Sequence, residues 1–199
     1  MDSRAFRSVN RFAYRTGWAH PLVKGYATFG IALFAVIMVL AWWDARTADD
    51  PAVAVSAVVW SGIAPLLSFV AVQIIGTIVD RARPTATLAG THLLVSPTKD
   101  FSFPSDHSTA VGAISVALIL AGPFLHRHWY GWFTLGLAVL LAGSRVYVGA
   151  HYPGDVLAGL ALGAAVAAGG APLARRVLPP LARKVQTTAL APLIATAPA

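Results

Sequence analysis

The residues best suited to chemistry in this chain lie in the segment SRVYVGAHYPGD, which covers positions 144–155. Arg145 supplies a planar cation for an anionic oxygen, and His151 precedes the carboxylate of Asp155 by four residues. One ring nitrogen of such a histidine can be held by the carboxylate while the other attacks an electrophile. Ionisable groups beside long apolar segments are costly and usually functional. This pattern therefore predicts phosphorus chemistry.

A second polar cluster, over 103–109, ends a loop and begins an apolar segment. A proline followed by serine and aspartate, with another serine or threonine close behind, is typical of a helix start. The free N–H groups of a helix N-terminus bind phosphate. We therefore expect Ser105 to contact a phosphate and His107 to protonate a leaving oxygen. Asp106 is a further candidate at this site, although an acid in a first helical turn also simply favours the helix dipole.

A third cluster contains Arg81 and Arg83, which follow another long apolar segment that ends before Pro84. Guanidinium groups bind phosphate oxygens strongly, so Arg83 is a candidate phosphate ligand. The chain has no cysteine, which excludes a thiolate metal site. Because the cations suited to the phosphate are arginines, we expect neither a metal nor another cofactor.

Taken in order, these clusters resemble the three motifs of the type 2 phosphatidic acid phosphatase superfamily, K-x6-R-P, P-S-G-H and S-R-x5-H-x3-D. The third motif is complete, and the second has Asp106 in place of glycine. The first motif has Gly76 where lysine is expected, and Arg81 and Lys99 are candidates to supply the missing cation. Within the superfamily, these departures are most similar to the bacitracin-resistance type of undecaprenyl-diphosphate phosphatase.

The resemblance implies an enzyme that removes the terminal phosphate of undecaprenyl diphosphate through a phosphohistidine. His151 is then the nucleophile, Asp155 orients and stabilises its ring, and His107 protonates the departing oxygen. The groups expected to bind the phosphate are Arg83, Arg145 and Ser105. Phosphatidylglycerol phosphate, phosphatidic acid and prenyl-phosphosugars are alternative substrates, and neither the headgroup nor the oligomeric state follows from the motifs.

Two other classes of protein fit part of this pattern. A vanadate-dependent haloperoxidase has the same kind of phosphate pocket, but Gly76 and the apolar character of the chain argue against it. A non-catalytic lipid-binding or lipid-moving protein would hold a headgroup without hydrolysing it. The complete third motif, with its nucleophile, disfavours that alternative.

Composition independently predicts a membrane protein. Of the 199 residues, 57% are hydrophobic and 12% are charged, compared with about 25% charged in an ordinary soluble domain. The formal net charge is +7. Because many basic residues flank apolar segments, we expect anionic lipid headgroups, and not nucleic acid, as partners.

Apolar segments long enough to cross a hydrocarbon core of about 30 Å cover 22–43, 53–79, 109–125, 129–148 and 156–177. Before them, arginines at helical spacing predict an amphipathic helix in the membrane interface over 3–16. After them, the segment 179–199 is rich in Ala, Pro and Thr and predicts a weakly ordered tail. We therefore expect one all-α integral membrane domain over 1–178, a bundle of about five transmembrane helices plus the interfacial helix.

This helix count places all three motifs on one face of the membrane. Counting basic residues is equivocal about which face it is. If the motif cations and the N-terminal arginines are left out of the count, the C-terminus is cytoplasmic and the site faces outward. The resemblance also implies an outward-facing site in a bacterial cell membrane.

Overall fold

The computed structural model describes residues 1–98 and 100–196. Over these residues, all of the regular secondary structure is helical. Short 3₁₀ turns lie at Gly17–Ala19, Gly122–Phe124 and Ala191–Leu193. The helices are α1 (Asp2–Arg15), α2 (His20–Phe29), α3 (Ile31–Ala45), α4 (Pro51–Val79), α5 (Pro84–Thr87), α6 (Asp106–Ala121), α7 (Trp129–Tyr147) and α8 (Pro153–Gln186). The prediction of an all-α integral membrane fold is confirmed.

By length and composition, three helices of the described chain are able to cross a membrane: α4, α6 with the turn after it, and α8. The pair α2 and α3 is a fourth candidate and bends by 55°. Helix α7, the remaining predicted span, is about 28 Å long at 1.5 Å per residue, but aromatic and glycine residues make its first half less apolar. Its exposed Trp132 and Phe133 suit a lipid-facing surface.

The centre of the bundle is formed by α4, α6 and α8, which pack closely because small residues face one another. A Cβ atom added at Gly112 of α6 would lie 2.7 Å from the carbonyl oxygen of Leu160. Likewise, a Cβ atom at Gly159 of α8 would lie 2.7 Å from the carbonyl oxygen of Ser105. The glycines therefore bring the first turns of α6 and α8 together, and both turns contain residues of the predicted site.

Helix α1 has the amphipathic character predicted for residues 3–16. It buries Phe6, Asn10 and Ala13, while its arginines are exposed. Asn10 holds the loop before α6, because its side-chain amide donates to the carbonyl of His92 at 2.8 Å and accepts from the N–H of His92 at 3.0 Å. The helix is thus fixed against the end of the bundle that contains the motifs.

The C-terminal segment differs from the weakly ordered tail expected from residue 179. Helix α8 continues through Pro179 and Pro180 to Gln186. Beyond it, the carbonyl of Leu193 accepts a hydrogen bond from Trp42 Nε1 at 2.9 Å, and Ile194 is buried. The composition of the segment did not reveal these apolar partners on α3. Residues 197–199 lie outside the described range.

Candidate active site

The chain unwinds after α4, and this places two arginines at the end of the bundle. Asp80 adopts a left-handed conformation with a φ of 45°, and Arg83 is extended. In a flat extended segment, residues two apart point to the same side of the backbone. A twist of the segment turns their side chains away from each other. Here Arg81 and Arg83 end beside different parts of the same third motif, at Asp155 and His151 respectively.

His151 has the geometry of a neutral nucleophile. Its Nδ1 lies 2.8 Å from the carbonyl oxygen of Ser102. A carbonyl only accepts hydrogen bonds, so Nδ1 is the donor and Nε2 of the neutral ring carries no proton. Nε2 accepts a hydrogen bond from Nη1 of Arg83 at 3.1 Å. The unprotonated nitrogen therefore lies beside a cation that is also suited to a phosphate oxygen.

The surroundings of His151 also favour the neutral ring. Burial lowers the pKa of His151 below its ordinary value. The carboxylate of Asp155 opposes this shift, and the positive charges of Arg83 and Arg145 reinforce it. The direction is what a histidine nucleophile needs, because only the unprotonated nitrogen can attack phosphorus.

Asp155 is fully buried and acts on His151 partly through Ser102. Its Oδ2 accepts from Ser102 Oγ at 2.6 Å and from the N–H of Tyr152 at 2.9 Å. The distance from Oδ2 to Nδ1 of His151 is 3.8 Å, which is too long for a direct hydrogen bond. The carboxylate therefore supplies negative charge beside the ring and fixes the residue whose carbonyl orients it. Ser102 was not identified from the sequence, because it belongs to no motif.

Arg81 lies behind His151, where it contacts carboxylates. Its Nη1 donates to Oδ1 of Asp155 at 2.6 Å, and its Nη2 donates to Oδ2 of Asp2 at 2.6 Å. The guanidinium also lies 4.1 Å from the ring centre of Tyr152. The sequence-based suggestion that Arg81 replaces the missing lysine as a phosphate ligand is therefore not supported by its position, because both ends of its guanidinium already pair with acids.

Asp2 is a residue of this site that sequence reasoning missed. Besides its ion pair with Arg81, its Oδ1 accepts from the N–H of Gly154 at 2.9 Å. The carboxylate thus caps the first turn of α8 and links it to α1. An acid in the first turn of a helix favours the helix dipole wherever it occurs, so the sequence contained no signal for this contact.

Arg83 is held in place by the loop that precedes α6. Its Nη2 lies 3.1 Å from Oδ1 of Asp100, and its Nη1 donates to the carbonyl of Ala150 at 3.0 Å. Partial burial would raise the pKa of Asp100, but hydrogen bonds from Thr98 and Arg83 and the charge of Arg83 lower it below its ordinary value. Asp100 is therefore ionised at neutral pH and orients the guanidinium towards His151.

Ser105 stands where the starts of α6 and α8 meet. It is fully buried, and its N–H donates to the carbonyl of Asp155 at 3.1 Å. Its carbonyl accepts from the N–H of Thr109 at 2.9 Å, the first hydrogen bond of α6. Its hydroxyl accepts from Ser108 Oγ at 3.3 Å. The structure thus places Ser105 at the helix N-terminus, as the proline and serine signal predicted.

His107 and Arg145 both line one cleft, which has a volume of about 460 Å³ and lies beside the N-terminus of α6. Arg145 is 9% exposed, and its Nη1 donates to the carbonyl of Ala27 at 3.0 Å. Its buried Nε has no hydrogen-bond partner within the described chain. Buried guanidinium N–H groups normally have an acceptor, and an anionic oxygen in the cleft would supply one.

The position of the missing lysine is closed by an aromatic ring. A Cβ atom at Gly76 would lie 2.8 Å from Cδ2 of Phe101, so a longer side chain would require the ring to move. Asp106 lines the same small recess. A phosphate-binding role for Asp106 stays a prediction. Lys99, the other candidate for the missing cation, lies outside the described residues.

The profile of the PAP2 superfamily matches residues 57–177, and the chain belongs to this superfamily. The bacitracin transport permease protein BcrC of Bacillus licheniformis is 31% identical over 163 residues, which cover 82% of this chain and 75% of that protein. The undecaprenyl-diphosphatase BcrC of Bacillus subtilis (strain 168) is 28% identical over 160 residues, with coverages of 80% and 77%. The family resemblance inferred from the motifs is confirmed.

Comparison of folds agrees with this result. The crystal structure of a transmembrane PAP2 type phosphatidylglycerolphosphate phosphatase from Bacillus subtilis superposes with a TM-score of 0.65 at 21% identity. The superposition covers 88% of this chain and 85% of that one. Together, the family and the relatives identify the chain as a phosphatase, and therefore a hydrolase, with a multi-pass membrane fold.

Proposed function

We propose that this phosphatase hydrolyses the terminal phosphate of undecaprenyl diphosphate to give undecaprenyl phosphate and inorganic phosphate. The main support is the unprotonated Nε2 of His151, which accepts a hydrogen bond from Nη1 of Arg83 at 3.1 Å at the edge of an arginine-lined site. The substrate choice is supported by the relative from Bacillus subtilis that is named as an undecaprenyl-diphosphatase and matches 80% of this chain.

In the first step, Nε2 of His151 attacks the terminal phosphorus, and the bridging P–O bond breaks. Arg83 and Arg145 neutralise the charge on the transferred phosphoryl oxygens, together with the N–H groups at the start of α6. His107 donates a proton to the departing phosphate oxygen. Asp155, held by Ser102, stabilises the positive charge that develops on the histidine ring.

In the second step, water attacks the phosphohistidine and restores the free enzyme. His107, now unprotonated, takes a proton from this water, and the N–P bond breaks as inorganic phosphate forms. The electron pair of the broken bond returns to Nε2 of His151. The same groups therefore serve both steps, with His107 acting first as acid and then as base.

We also propose that the site faces outward from a bacterial cell membrane. The C-terminal end of α4 and the first turns of α6 and α8 contribute to one end of the bundle. The opposite end presents exposed arginines, including Arg175, Arg176 and Arg183. Basic residues are enriched on the cytoplasmic side of membrane proteins. With the exposed arginines of α1 counted as interfacial, this enrichment assigns the catalytic end to the other side.

Phosphate release by the purified protein in mixed detergent and lipid tests the proposed function. The substrates are undecaprenyl diphosphate, phosphatidylglycerol phosphate and phosphatidic acid, each compared with His151→Ala to measure background. We expect the highest kcat/KM on undecaprenyl diphosphate. A higher value on either glycerolipid would reject the proposed substrate, and no release from any of them would reject the proposed hydrolysis.

A further inference from the structure

The cleft beside His107 is lined by more cations than the motifs supply. Lys24 and Thr28 of α2 face it together with His107 of α6 and Arg145 of α7. Its volume of about 460 Å³ falls in the range of small-molecule binding sites, about 300 to 1,000 Å³. None of the three motifs includes a residue of α2, so the polar side chains of this helix are unexplained by them.

Helix α2 is fixed to α7 at the turn that contains these residues. The carbonyl of Ala27 accepts the 3.0 Å hydrogen bond from Nη1 of Arg145. Tyr26 adds a second attachment, because its hydroxyl donates to the carbonyl of Leu137 at 2.7 Å. Residues four apart lie on the same face of a helix, so Lys24 and Thr28 are presented together on the cleft side of this anchored turn.

Within residues 1–98 and 100–196, no carboxylate lies within ion-pair distance of Lys24. Two of the arginines near His151 have acidic partners. Arg81 contacts Asp2 and Asp155, and Arg83 contacts Asp100. The charge of Lys24 is therefore available to an anion in the cleft, on the side away from His151.

We propose that Lys24 and Thr28 form a second phosphate subsite, which binds the inner, non-transferred phosphate of a diphosphate substrate. The proposal rests on the phosphatase function proposed for His151 and makes lipid diphosphates the preferred substrate class. With the terminal phosphate beside Arg83 and Arg145, the inner phosphate extends past His107 into the cleft. A substrate with a single phosphate has no group to place there.

The subsite also acts on the leaving group. When the bond from Nε2 of His151 to phosphorus forms and the bridging P–O bond breaks, the electron pair passes to the bridging oxygen, which remains on the inner phosphate. The ammonium group of Lys24 stabilises the added charge, and this stabilisation is greater in the transition state than in the bound substrate. Thr28 contributes a hydroxyl donor to the same phosphate.

The test compares Lys24→Gln with wild type on farnesyl diphosphate and on phosphatidic acid in the same detergent. We expect kcat/KM for the diphosphate to fall about 10- to 100-fold, as loss of a hydrogen bond to a charged group would give. We expect the value for phosphatidic acid to change less than about twofold. Thr28→Val should show the same selectivity with a smaller loss. Arg15→Gln, which removes an exposed cation of α1 outside the cleft, is the matched control.

An equal loss on both substrates would overturn the proposal, because it would show general attraction of anions. Unchanged kcat/KM on the diphosphate would overturn it as well. Binding of a prenyl methylenebisphosphonate, which cannot be hydrolysed, separates the subsite from the reaction. Suppose that wild type binds this compound at least tenfold more tightly than Lys24→Gln does and yet releases no phosphate from any substrate. The proposed hydrolysis would then be wrong, and the second phosphate subsite would be supported.

Discussion

Both ends of the bundle formed by α4, α6 and α8 contain arginines, but their surroundings differ. At the catalytic end, Arg145 is 9% exposed and Arg83 is held by Asp100 beside the nucleophile. At the opposite end, Arg175 is exposed, and the side chains of Arg183 and Asp50 form an ion pair in which each is more than half exposed.

The opposite end also has a partly open cavity, of about 290 Å³, whose walls are mainly apolar and include Trp60. No histidine of the described chain lines this cavity. The N-terminus of α6 is at the other end of the helix, about 22 Å away over 15 residues at 1.5 Å each. The comparison teaches that arginines alone do not make a phosphatase site. Burial of the arginines and a histidine nitrogen that contacts one of them distinguish the proposed catalytic end.

The largest expected effect comes from removing the nucleophile. His151→Ala should reduce phosphate release to below about 1% of wild type, because no other described residue presents a free nitrogen beside Arg83. His126→Ala, at the opposite end, removes an exposed histidine that contacts the carbonyl of Thr47 and should leave the rate unchanged. Circular dichroism and gel filtration check that both variants fold. Retention of more than a few per cent of activity by His151→Ala would exclude the phosphohistidine mechanism.

A matched pair of arginine substitutions tests the comparison directly. Arg145→Gln should lower kcat/KM about 10- to 100-fold, because it removes a buried cation and its hydrogen bonds from the cleft. Arg175→Gln should change kcat/KM less than about twofold, because exposed charges contribute little. Steady-state kinetics on undecaprenyl diphosphate measure both variants, and similar losses for the pair would contradict the distinction between the two ends.

The ion pairs behind the nucleophile should affect catalysis less and leave substrate binding intact. Asp2→Asn removes one of the two carboxylates that hold Arg81 and should lower kcat about two- to tenfold with little change in KM. Arg81→Ala should have the larger effect of the two, since it also removes the partner of Asp155. Asp50→Asn, which breaks the exposed pair with Arg183, is the control. If Asp2→Asn raised KM, the substitution would be weakening substrate binding, which would contradict this prediction.

The pH dependence should reflect the protonation of His151. Burial lowers its pKa below the ordinary value, so the ring remains unprotonated as the pH falls through about 6.5. Activity that requires the neutral ring is then retained at pH 6.5 and lost only as the pH falls through the lowered pKa. The acid limb of log kcat/KM against pH measures this value, and a limb at or above pH 6.5 would contradict the lowered pKa of His151.

The smallest expected effect is that of a chelator. Because the cations of the proposed phosphate site are arginines, excess EDTA should leave kcat/KM unchanged. Vanadate should compete with the substrate, since it imitates pentacoordinate phosphorus. Loss of activity in EDTA and recovery with Mg²⁺ would show that a metal takes the part assigned to the arginines.

Local patterns in the sequence predicted several helices well. The apolar segment expected over 53–79 corresponds to Pro51–Val79, and that expected over 129–148 corresponds to Trp129–Tyr147. Apolar runs bounded by proline or polar residues suffice for this, because helix formation depends mainly on neighbouring residues. The same patterns did not show the bend between α2 and α3, since the hydrophobic run continues across Gly30.

The motifs likewise identified the residues that surround the nucleophile, and the resemblance they produced is borne out by the family match. The motifs could not show which side chains of distant segments contact each other. Arg81 pairs with Asp155 and Asp2, which are 74 and 79 residues away in the chain. Asp100 and Lys24 lie outside all three motifs.

The sequence alone therefore determined the class of protein, most of the helices and several chemical groups of the site, because each of these depends on residue type and local spacing. Only the tertiary structure decided which of these groups face the substrate. The contacts among α1, α2 and the starts of α6 and α8 direct Arg81 to Asp2 and Asp155 and Lys24 to the cleft. Such contacts depend on packing between segments that are far apart in the chain, and residue type and local spacing do not specify that packing.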